Sequence, residues 1–319
     1  MLVSIIVKAF NRKKYILDAL SSVVNLYIPP DLDLEIVVVK NFSDPSIDHF
    51  IAENSIIEVK ANNTKIGDYV ILGLNASHGD WILILDDDDL FTRDKLLSIH
   101  DYLKDENIGI IHNQQKFVND KLENIVPPKW NKRKFTPLIF SHFNRRSVHK
   151  FYKFHLWHND SSYCIRREIL YEFADKIRLF NMIDNIFPII SISAGKKFTA
   201  IPDRLTIQRE LKDSYRIKSA NATGRLFAIN EFKEIHSSFS SKKTEALIMP
   251  FLTSSLIEKY LKDGSNFDER ITIFPDAFRA WYITGRSLYL FLLSFLIISL
   301  FSISLSSFLY SFTSRIRAI

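Results

Sequence analysis

Short, nearly continuous apolar segments alternate with longer amphipathic segments over the first third of the chain. Apolar runs of this kind are typical of strands that are covered on both faces of a sheet. The predicted strands lie at 3–7, 34–39, 56–59, 81–85 and 108–112. The predicted helices lie at 13–26, 46–52, 67–77 and 93–104. Strands and helices that alternate at this spacing predict an α/β fold, with a mostly parallel sheet flanked by helices.

The hydrophobic pattern becomes less regular after Asn113. Residues 115–126 predict a hairpin, and the basic, aromatic stretch that runs to Trp157 predicts loop and a short strand. The elements predicted beyond it are a strand at 161–165, helices at 167–175 and 184–194, strands at 197–201 and 204–208, and two helices within 220–261. Pro202 separates the last two strands. We therefore expect the sheet to be mixed and a helical region to follow it.

The C-terminal segment is different in kind, because residues 287–312 carry no charge. At about 1.5 Å per residue they would form a helix of roughly 39 Å, enough to cross a hydrocarbon core of about 30 Å with some tilt. Arginines flank the segment on both sides, and Trp281 and Tyr282 precede it as candidate interfacial anchors. We predict a C-terminal transmembrane anchor at 283–312, preceded by a membrane-proximal helical region at 216–282. A helix that lies in the interface, or in a protein core, is the alternative.

The composition fits a folded protein, with 47% hydrophobic and 24% charged residues in a chain of 319. The net charge is +6, and the densest basic stretch runs from Lys129 to Lys153. Such a stretch could contact nucleic acid, anionic lipid or a phosphorylated substrate, and charge alone does not choose among them. The single cysteine, Cys164, excludes an internal disulfide and a cysteine metal cluster. No glycine-rich phosphate loop is present, which excludes a P-loop or a dinucleotide fingerprint.

Four consecutive aspartates, at 86–89, follow the predicted strand at 81–85. Adjacent carboxylates repel one another, and a divalent cation relieves that repulsion. Mg²⁺ and Mn²⁺ take one or two protein carboxylates and complete their coordination with water and substrate phosphates. The carboxyl end of a strand in such a sheet is also where ligands bind. The alternative is an acidic loop in which Asp89 or Thr92 only caps the next helix.

Three other features could belong to a site or only to the fold. One is a cluster that could touch a metal or an acceptor, or could be a surface loop with a buried tryptophan: His155, Trp157, His158, Asn159 and Asp160. Arg209 could bind phosphate or pair with a neighbouring acid. Cys164 lies in an apolar strand, which favours an inert core position.

The segment 82–96, ILILDDDDLFTRDKL, resembles the DxD segment of family 2 glycosyltransferases, which have the GT-A fold. Residues 3–12 resemble the opening strand and asparagine-arginine turn of that family, and residues 34–44 resemble its second strand and nucleotide-facing turn. Residues 163–170 are similar to its strand-to-helix element behind the acceptor site. Residues 201–209 are similar to the segment that ends in its trailing arginine. The order of these segments matches the family.

The resemblance covers residues 2–210 and implies a GT-A, Rossmann-like domain at 1–215. Residues 1–113 would form its nucleotide-sugar-binding half and residues 114–215 its acceptor half. The donor-binding residues that the resemblance implies are Ala9, Phe10, Asn11, Asn41, Gly67, Asp86 and Asp87. It further implies that Asp86 and Asp88 bind the metal and that Asp184 is the general base. On its residue type alone, Asp184 could instead be an N-terminal helix cap.

This chain departs from the family pattern at three places. The opening turn has Lys8 and Ala9 where the family usually has proline and threonine. Lys40 stands where an aspartate commonly holds the nucleotide base, and a lysine has no acceptor for that hydrogen bond. Asn185 follows Asp184, where the family often has a second acid. Lys40 in particular makes the identity of the base an open question.

The resemblance implies inverting transfer of a sugar, with Mn²⁺ or Mg²⁺, from a UDP- or GDP-sugar to an acceptor hydroxyl. The predicted anchor suggests a lipid-linked or membrane-proximal glycan as acceptor, a cytoplasmic catalytic domain held at the membrane, and no nucleic-acid partner. One alternative is a non-catalytic, membrane-anchored scaffold of the same fold, which Lys40 favours. Another is a nucleotidyltransferase, although such enzymes normally have a glycine- and basic-rich turn after the first strand.

Overall fold

The structure, a computed structural model, describes residues 1–62, 65–211 and 222–239 and scattered positions beyond them (241, 244, 247–248, 250, 252–253, 255–256, 259, 275, 278 and 297). The described residues fall into two compact units. The first comprises Met1–His142 and Phe154–Leu211. The second comprises Phe143–Lys153 and the described residues beyond 211.

The first unit begins with the predicted alternation of strands and helices. The strands are β1 (Leu2–Ala9), β2 (Asp33–Lys40), β3 (Ile57–Lys60) and β4 (Trp81–Asp86). The helices are α1 (Ile16–Val24), α2 (Pro45–Glu53), α3 (Ile66–Ala76) and α4 (Lys95–Leu103). Helix α2 begins where the side chain of Asp44 accepts hydrogen bonds from the N–H groups of Ser46 and Ile47. The predicted order of these elements is confirmed.

The second half of this unit differs from the sequence prediction in several places. Strand β5 (Leu90–Phe91) precedes α4, and β6 runs over Ile108–Val118. A short hairpin lies within the predicted 115–126, where Val118 forms an antiparallel bridge with Asn124 and the N–H of Ile125 donates to the carbonyl of Phe117. The elements that follow are β7 (Leu138–Phe140), β8 (Tyr163–Arg166), α6 (Arg167–Glu172), α7 (Ala174–Ile177), α8 (Phe187–Ser193) and β9 (Lys197–Arg209). Strand β9 is continuous through Pro202, which has no N–H to donate. Its pairing with β6 shifts register beside Pro202, so the strand continues past the residue that cannot donate.

Among the described residues, nine strands form one mixed sheet. Its order is β3-β2-β1-β4-β8-β6-β9-β5, and β7 pairs with β9. Strands β1 to β4 are parallel, and β8 lies antiparallel between β4 and β6. The apolar side chains of β1 and β4 are almost fully buried, as expected for strands covered on both faces. The carboxyl ends of β1, β2 and β4 therefore meet at one edge of the sheet.

Helices α5 (Arg145–Lys153) and α9 (Ala222–Phe239) belong to the second unit. Helix α5 falls in the basic stretch for which loop and a short strand were predicted, and its Val148, Phe151 and Tyr152 are buried. Helix α9 confirms helix within 220–261.

No helix of the described part of the chain combines the length and the apolar character needed to cross a bilayer. Except for Ile297, the predicted anchor at 283–312 lies outside the described residues.

Candidate active site

Strand register brings the first residues of the site together. Lys8 lies opposite Asp86 in the β1–β4 pair, and Ala9 lies opposite Lys40 in the β1–β2 pair. The acidic run that begins at Asp86 therefore starts beside the end of β1.

Lys8 is a buried cation between two carboxylates. Its side chain is 2% exposed, its Nζ lies 2.8 Å from Oδ1 of Asp86, and it also donates to Oδ2 of Asp160. Burial alone would lower the pKa of Lys8, but the charges of Asp160 and Asp86 raise it above its ordinary value. Burial would likewise raise the pKa of Asp86, whereas the Lys8 ammonium lowers it. Lys8 thus holds Asp86 ionised.

Arg12 binds the next two members of the acidic run. Its Nε donates to Oδ1 of Asp87 at 3.0 Å, its Nη2 contacts the same oxygen, and its Nη1 lies 2.7 Å from Oδ2 of Asp88. Asp87 is buried, and burial raises its pKa to about 7 despite the guanidinium. Burial and the neighbouring charge of Asp86 also raise the pKa of Asp88. Arg12 therefore offsets only part of the charge of these two carboxylates.

Asp89 has a structural role. Its carboxylate accepts hydrogen bonds from Nδ2 of Asn159 at 2.7 Å and from the N–H of Arg209 at 3.1 Å. The Arg209 guanidinium donates to the carbonyl of Asp88 and to Asp18, which is the ion pair that was one of its two alternatives. Asp89 therefore fastens the acidic run to β9 and to the loop before β8.

The ends of β1 and β2 are joined by two asparagines. Asn11 has a positive φ of 56° and accepts from Nδ2 of Asn41, while its own N–H donates to Oδ1 of Asn41. Ala9 is buried, and the partly exposed ring of Phe10 packs edge-on against Tyr69. These are residues for which the sequence predicted contact with a nucleoside, and the structure brings them to one edge.

Lys40 is buried at the end of β2 with its charge compensated. Its Nζ lies 2.8 Å from Oδ1 of Asp48 and 2.9 Å from Oε1 of Glu58, and it donates to the carbonyl of Phe42. The lysine at this departure from the family pattern is therefore an ion-pair partner within the β2–α2–β3 layer.

Gly67 packs against backbone, which gives it a role in the fold. Its N–H donates to the carbonyl of Phe180 at 2.8 Å, and a Cβ at this position would lie 1.8 Å from the carbonyl oxygen of Ile177. Its predicted contact with the donor stays a prediction.

We expect Gly67→Ala to lower the free energy of unfolding by about 2 kcal/mol, because the added methyl forces the 177–180 backbone away from α3. Urea unfolding of the full chain measures this change. Asn75→Ala, at an exposed position of the same helix, is the control and should leave stability nearly unchanged. A Gly67→Ala variant as stable as the control would contradict the packing role.

Asp184 lies on the short 3₁₀ segment Ile183–Asn185, within electrostatic reach of the Lys8 cluster. Its Oδ1 accepts from the N–H and the side-chain amide of Asn185, both at 2.9 Å, and the Tyr163 hydroxyl donates to its carbonyl oxygen. These bonds lie ahead of α8, which begins at Phe187, so they do not cap that helix. Burial raises the pKa of Asp184 to about 7. A carboxylate of this pKa is suited to accept a proton near neutral pH.

Two members of the 155–160 cluster reach the acidic run. Asp160 pairs with Lys8, and Asn159 donates to Asp89. His158 contacts Gln208, and the ring of His155 stacks between Trp130 and Trp157 with centroids 4.7 and 4.6 Å apart. The cluster is thus partly site and partly aromatic packing.

The counter-ion roles of Lys8 and Arg12 were missed from the sequence. The signal was the position of Lys8 near the end of β1, opposite the strand that ends in the acidic run, and of Arg12 in the turn after β1.

A divalent cation fits this arrangement as an ion shared with a phosphate ligand. The Asp86 and Asp88 carboxylates are hard oxygen donors of the type that Mg²⁺ and Mn²⁺ prefer, and Oδ2 of buried Asp87 has no hydrogen-bond partner. In the described part of the chain, no group of three or more His, Cys, Asp or Glu side chains forms a ready ligand set. Metal binding by Asp86 and Asp88 stays a prediction, and it needs phosphate oxygens to complete the coordination.

The chain has a sequence match to one family model, described as Glycosyl transferase family 2, over residues 4–174. No curated protein matches the chain. S. aureus TarS 1-349 in complex with UDP-GlcNAc has a similar structure, with a TM-score of 0.51 and 14% identity over 93% of this chain and 90% of that one. Mannosyltransferase PcManGT from Pyrobaculum calidifontis, in complex with GDP-Man and Mn²⁺, has a TM-score of 0.50 and 15% identity over 94% and 87%. These similarities show the fold.

Proposed function

The chain belongs to glycosyl transferase family 2 and has the GT-A fold; from this premise we propose that it transfers a sugar from a UDP- or GDP-sugar to an acceptor hydroxyl with inversion. The family favours a glycosyltransferase over the scaffold and nucleotidyltransferase alternatives. Similar structures that hold UDP-GlcNAc and GDP-Man support the donor class. The observation that carries the proposal is the acidic run at the carboxyl end of β4, beside the ends of β1 and β2.

The donor diphosphate would lie beside Asp86 and Asp88, which would hold Mn²⁺ or Mg²⁺ together with its oxygens. The similar mannosyltransferase, which is in complex with GDP-Man and Mn²⁺, supports this choice of metal. When bound, the cation offsets the charge that develops on the leaving diphosphate. The nucleotide would lie along the joined ends of β1 and β2, against Ala9, Phe10, Asn11 and Asn41, with Asp87 as its neighbour on the acidic run.

Asp184 would take the proton from the acceptor hydroxyl. Inverting transfer needs a base on the face of the sugar opposite the leaving group. Two hydrogen bonds from Asn185 orient the Asp184 carboxylate, and Tyr163 fixes the backbone at this position. These hydrogen bonds would hold the Asp184 carboxylate in one orientation before the substrate binds.

The rate of transfer should depend on pH through Asp184. Its pKa is raised by burial to about 7; the charges that face it are Lys8 on β1, Asp86 on β4 and Asp160 before β8. Only the carboxylate accepts a proton, so we expect kcat/KM for the acceptor to fall about tenfold per pH unit below about 7. Initial rates over a pH series measure this. A limb near the ordinary pKa of a carboxyl group would contradict a raised pKa of the base.

We place the acceptor at a membrane and the catalytic domain on its cytoplasmic face. The uncharged segment at 287–312, which except for Ile297 lies outside the described residues, supports an anchor. The basic stretch from Lys129 to Lys153 supports contact with anionic head groups or an acceptor phosphate. A lipid-linked glycan or another membrane-proximal glycan would satisfy both features. Nucleic acid is not part of this proposal.

The experiment that tests the proposed function is a donor screen. The purified full chain is incubated with Mn²⁺ and a panel of UDP- and GDP-sugars, and release of the nucleoside diphosphate is measured, with a chelator as the control. Calorimetry with UDP and GDP, with and without Mn²⁺, distinguishes an inactive scaffold. If no donor is cleaved and neither nucleotide binds, the proposed function is wrong.

A further inference from the structure

The two predicted metal ligands are each paired with a cation of the same chain, but the two cations differ in exposure to solvent. Lys8, which binds Asp86, has a side chain that is only 2% exposed and is held by two carboxylates. Arg12, which binds Asp88, has a side chain that is 38% exposed. Lys8 can leave its place only by disrupting buried structure, whereas Arg12 can change its partners at the surface.

The contact between Arg12 and Asp88 occupies a carboxylate that is predicted to bind the metal ion. Arg12 Nη1 lies 2.7 Å from Oδ2 of Asp88, whose side chain is 14% exposed. A guanidinium at hydrogen-bond distance and a divalent cation compete for the same carboxylate. For a metal cation to bind Asp88, the Arg12 guanidinium must leave this carboxylate and pair with another anion.

The donor diphosphate is suited to be that partner. Guanidinium groups bind phosphate oxygens through paired N–H donors, often more than one at a time. Arg12 follows the Asn11 turn, which the reciprocal bonds to Asn41 hold at the joined ends of β1 and β2. The side chain thus extends from a fixed base towards the place proposed for the diphosphate.

We propose that Arg12 is a diphosphate-binding residue. Its guanidinium pairs with Asp88 while the donor is absent and binds the donor diphosphate when the donor is present. The inference rests on the proposed function. Asp87 keeps one end of the guanidinium in place, so the exchange is a shift of Nη1 from a carboxylate to a phosphate oxygen. Arg12 would therefore couple metal binding to donor binding, since Asp88 is free for the cation only when the diphosphate holds Arg12.

The test measures Mn²⁺ binding to the full chain by electron paramagnetic resonance of free Mn²⁺, without nucleotide and then with saturating UDP or GDP. Arg12→Gln removes the guanidinium and keeps a polar side chain. Lys13→Gln is the matched control, because it removes the same charge one residue away and Lys13 pairs with Asp44, outside the acidic run. Circular dichroism shows that the variants are folded.

We expect the wild-type chain and Lys13→Gln to bind Mn²⁺ weakly alone and at least about tenfold more tightly with nucleotide. Arg12→Gln should bind Mn²⁺ about tenfold more tightly than wild type without nucleotide, the scale on which the partners of ligating groups alter metal affinity, and should gain less from nucleotide. Equal Mn²⁺ affinities for the two variants, with the same gain from nucleotide as in wild type, would show that Arg12 has no such role. If wild type binds Mn²⁺ under no condition and binds no nucleotide, the proposed function is wrong as well.

Discussion

Replacing Asp184 with asparagine is expected to lower kcat roughly 10²- to 10⁴-fold, the range that general base catalysis contributes. Asparagine keeps the size and the hydrogen bonds at this position but cannot accept a proton from the acceptor. The donor and its cation are proposed to bind at Asp86 and Asp88, so their affinities should change little. Steady-state transfer kinetics give kcat, and calorimetry with UDP or GDP and Mn²⁺ gives the affinities.

Asp203→Asn is the matched control, because Asp203 is an exposed aspartate on β9. It should retain the wild-type kcat. If Asp184→Asn also retains it, Asp184 is not the base. If instead the variant loses nucleotide affinity in proportion to kcat, the carboxylate belongs to the donor site, and the base must be sought among the other acids near Lys8, of which Asp160 is the first candidate.

The N-terminal half of the fold could be predicted because its signal is local. The apolar runs of β1 and β4 identify strands covered on both faces, and their alternation with helices implies parallel order. That order alone brings the acidic run, which begins at Asp86, to the ligand-binding edge of the sheet.

The remaining differences come from interactions that a local pattern does not contain. The hairpin predicted at 115–126 is confirmed as a short one, in which Val118 forms an antiparallel bridge with Asn124. It is shorter than predicted because residues up to Val118 belong to β6, which pairs with β9 past Pro202 through shifts in register. Helix α5 lies in the basic stretch, and its Val148, Phe151 and Tyr152 are buried. The many charged residues around them make the helical spacing of these three residues hard to recognise in the sequence. Tertiary burial therefore decided these elements more than residue preference.

The sequence identified the acids of the candidate site but not the cations that pair with them. Asp86 and Asp88 are recognisable from one short segment, whereas the pair formed by Lys8 and Asp160 joins residues 152 positions apart. The contact exists only because β1 lies beside β4 and the loop before β8 returns to the same edge. Without knowledge of the strand order, the sequence gives no reason to pair Lys8 with Asp160.

Lys8→Met is expected to lower the free energy of unfolding by about 3 kcal/mol, near the lower end of what is lost when one partner of a buried ion pair is removed. Methionine keeps the length of the side chain but leaves Asp86 and Asp160 facing each other without a cation. The loss should be near the lower end because the Asp86 side chain is 35% exposed and can be hydrated. Urea unfolding of the full chain measures the change.

Lys40→Met is the matched control, since Lys40 is also buried between two carboxylates at the end of the adjacent parallel strand. Its partners Asp48 and Glu58 are 38% and 26% exposed, whereas Asp160 beside Lys8 is 14% exposed. Water can therefore replace the ammonium more fully around Lys40, and the control should lose less stability than Lys8→Met. Equal losses would mean that burial of the lysine alone sets the effect, and an unchanged Lys8→Met would mean that the two acids do not need the cation. The expected order, with Lys8→Met the less stable, would make Lys8 the residue that allows this acidic edge to fold before any metal is bound.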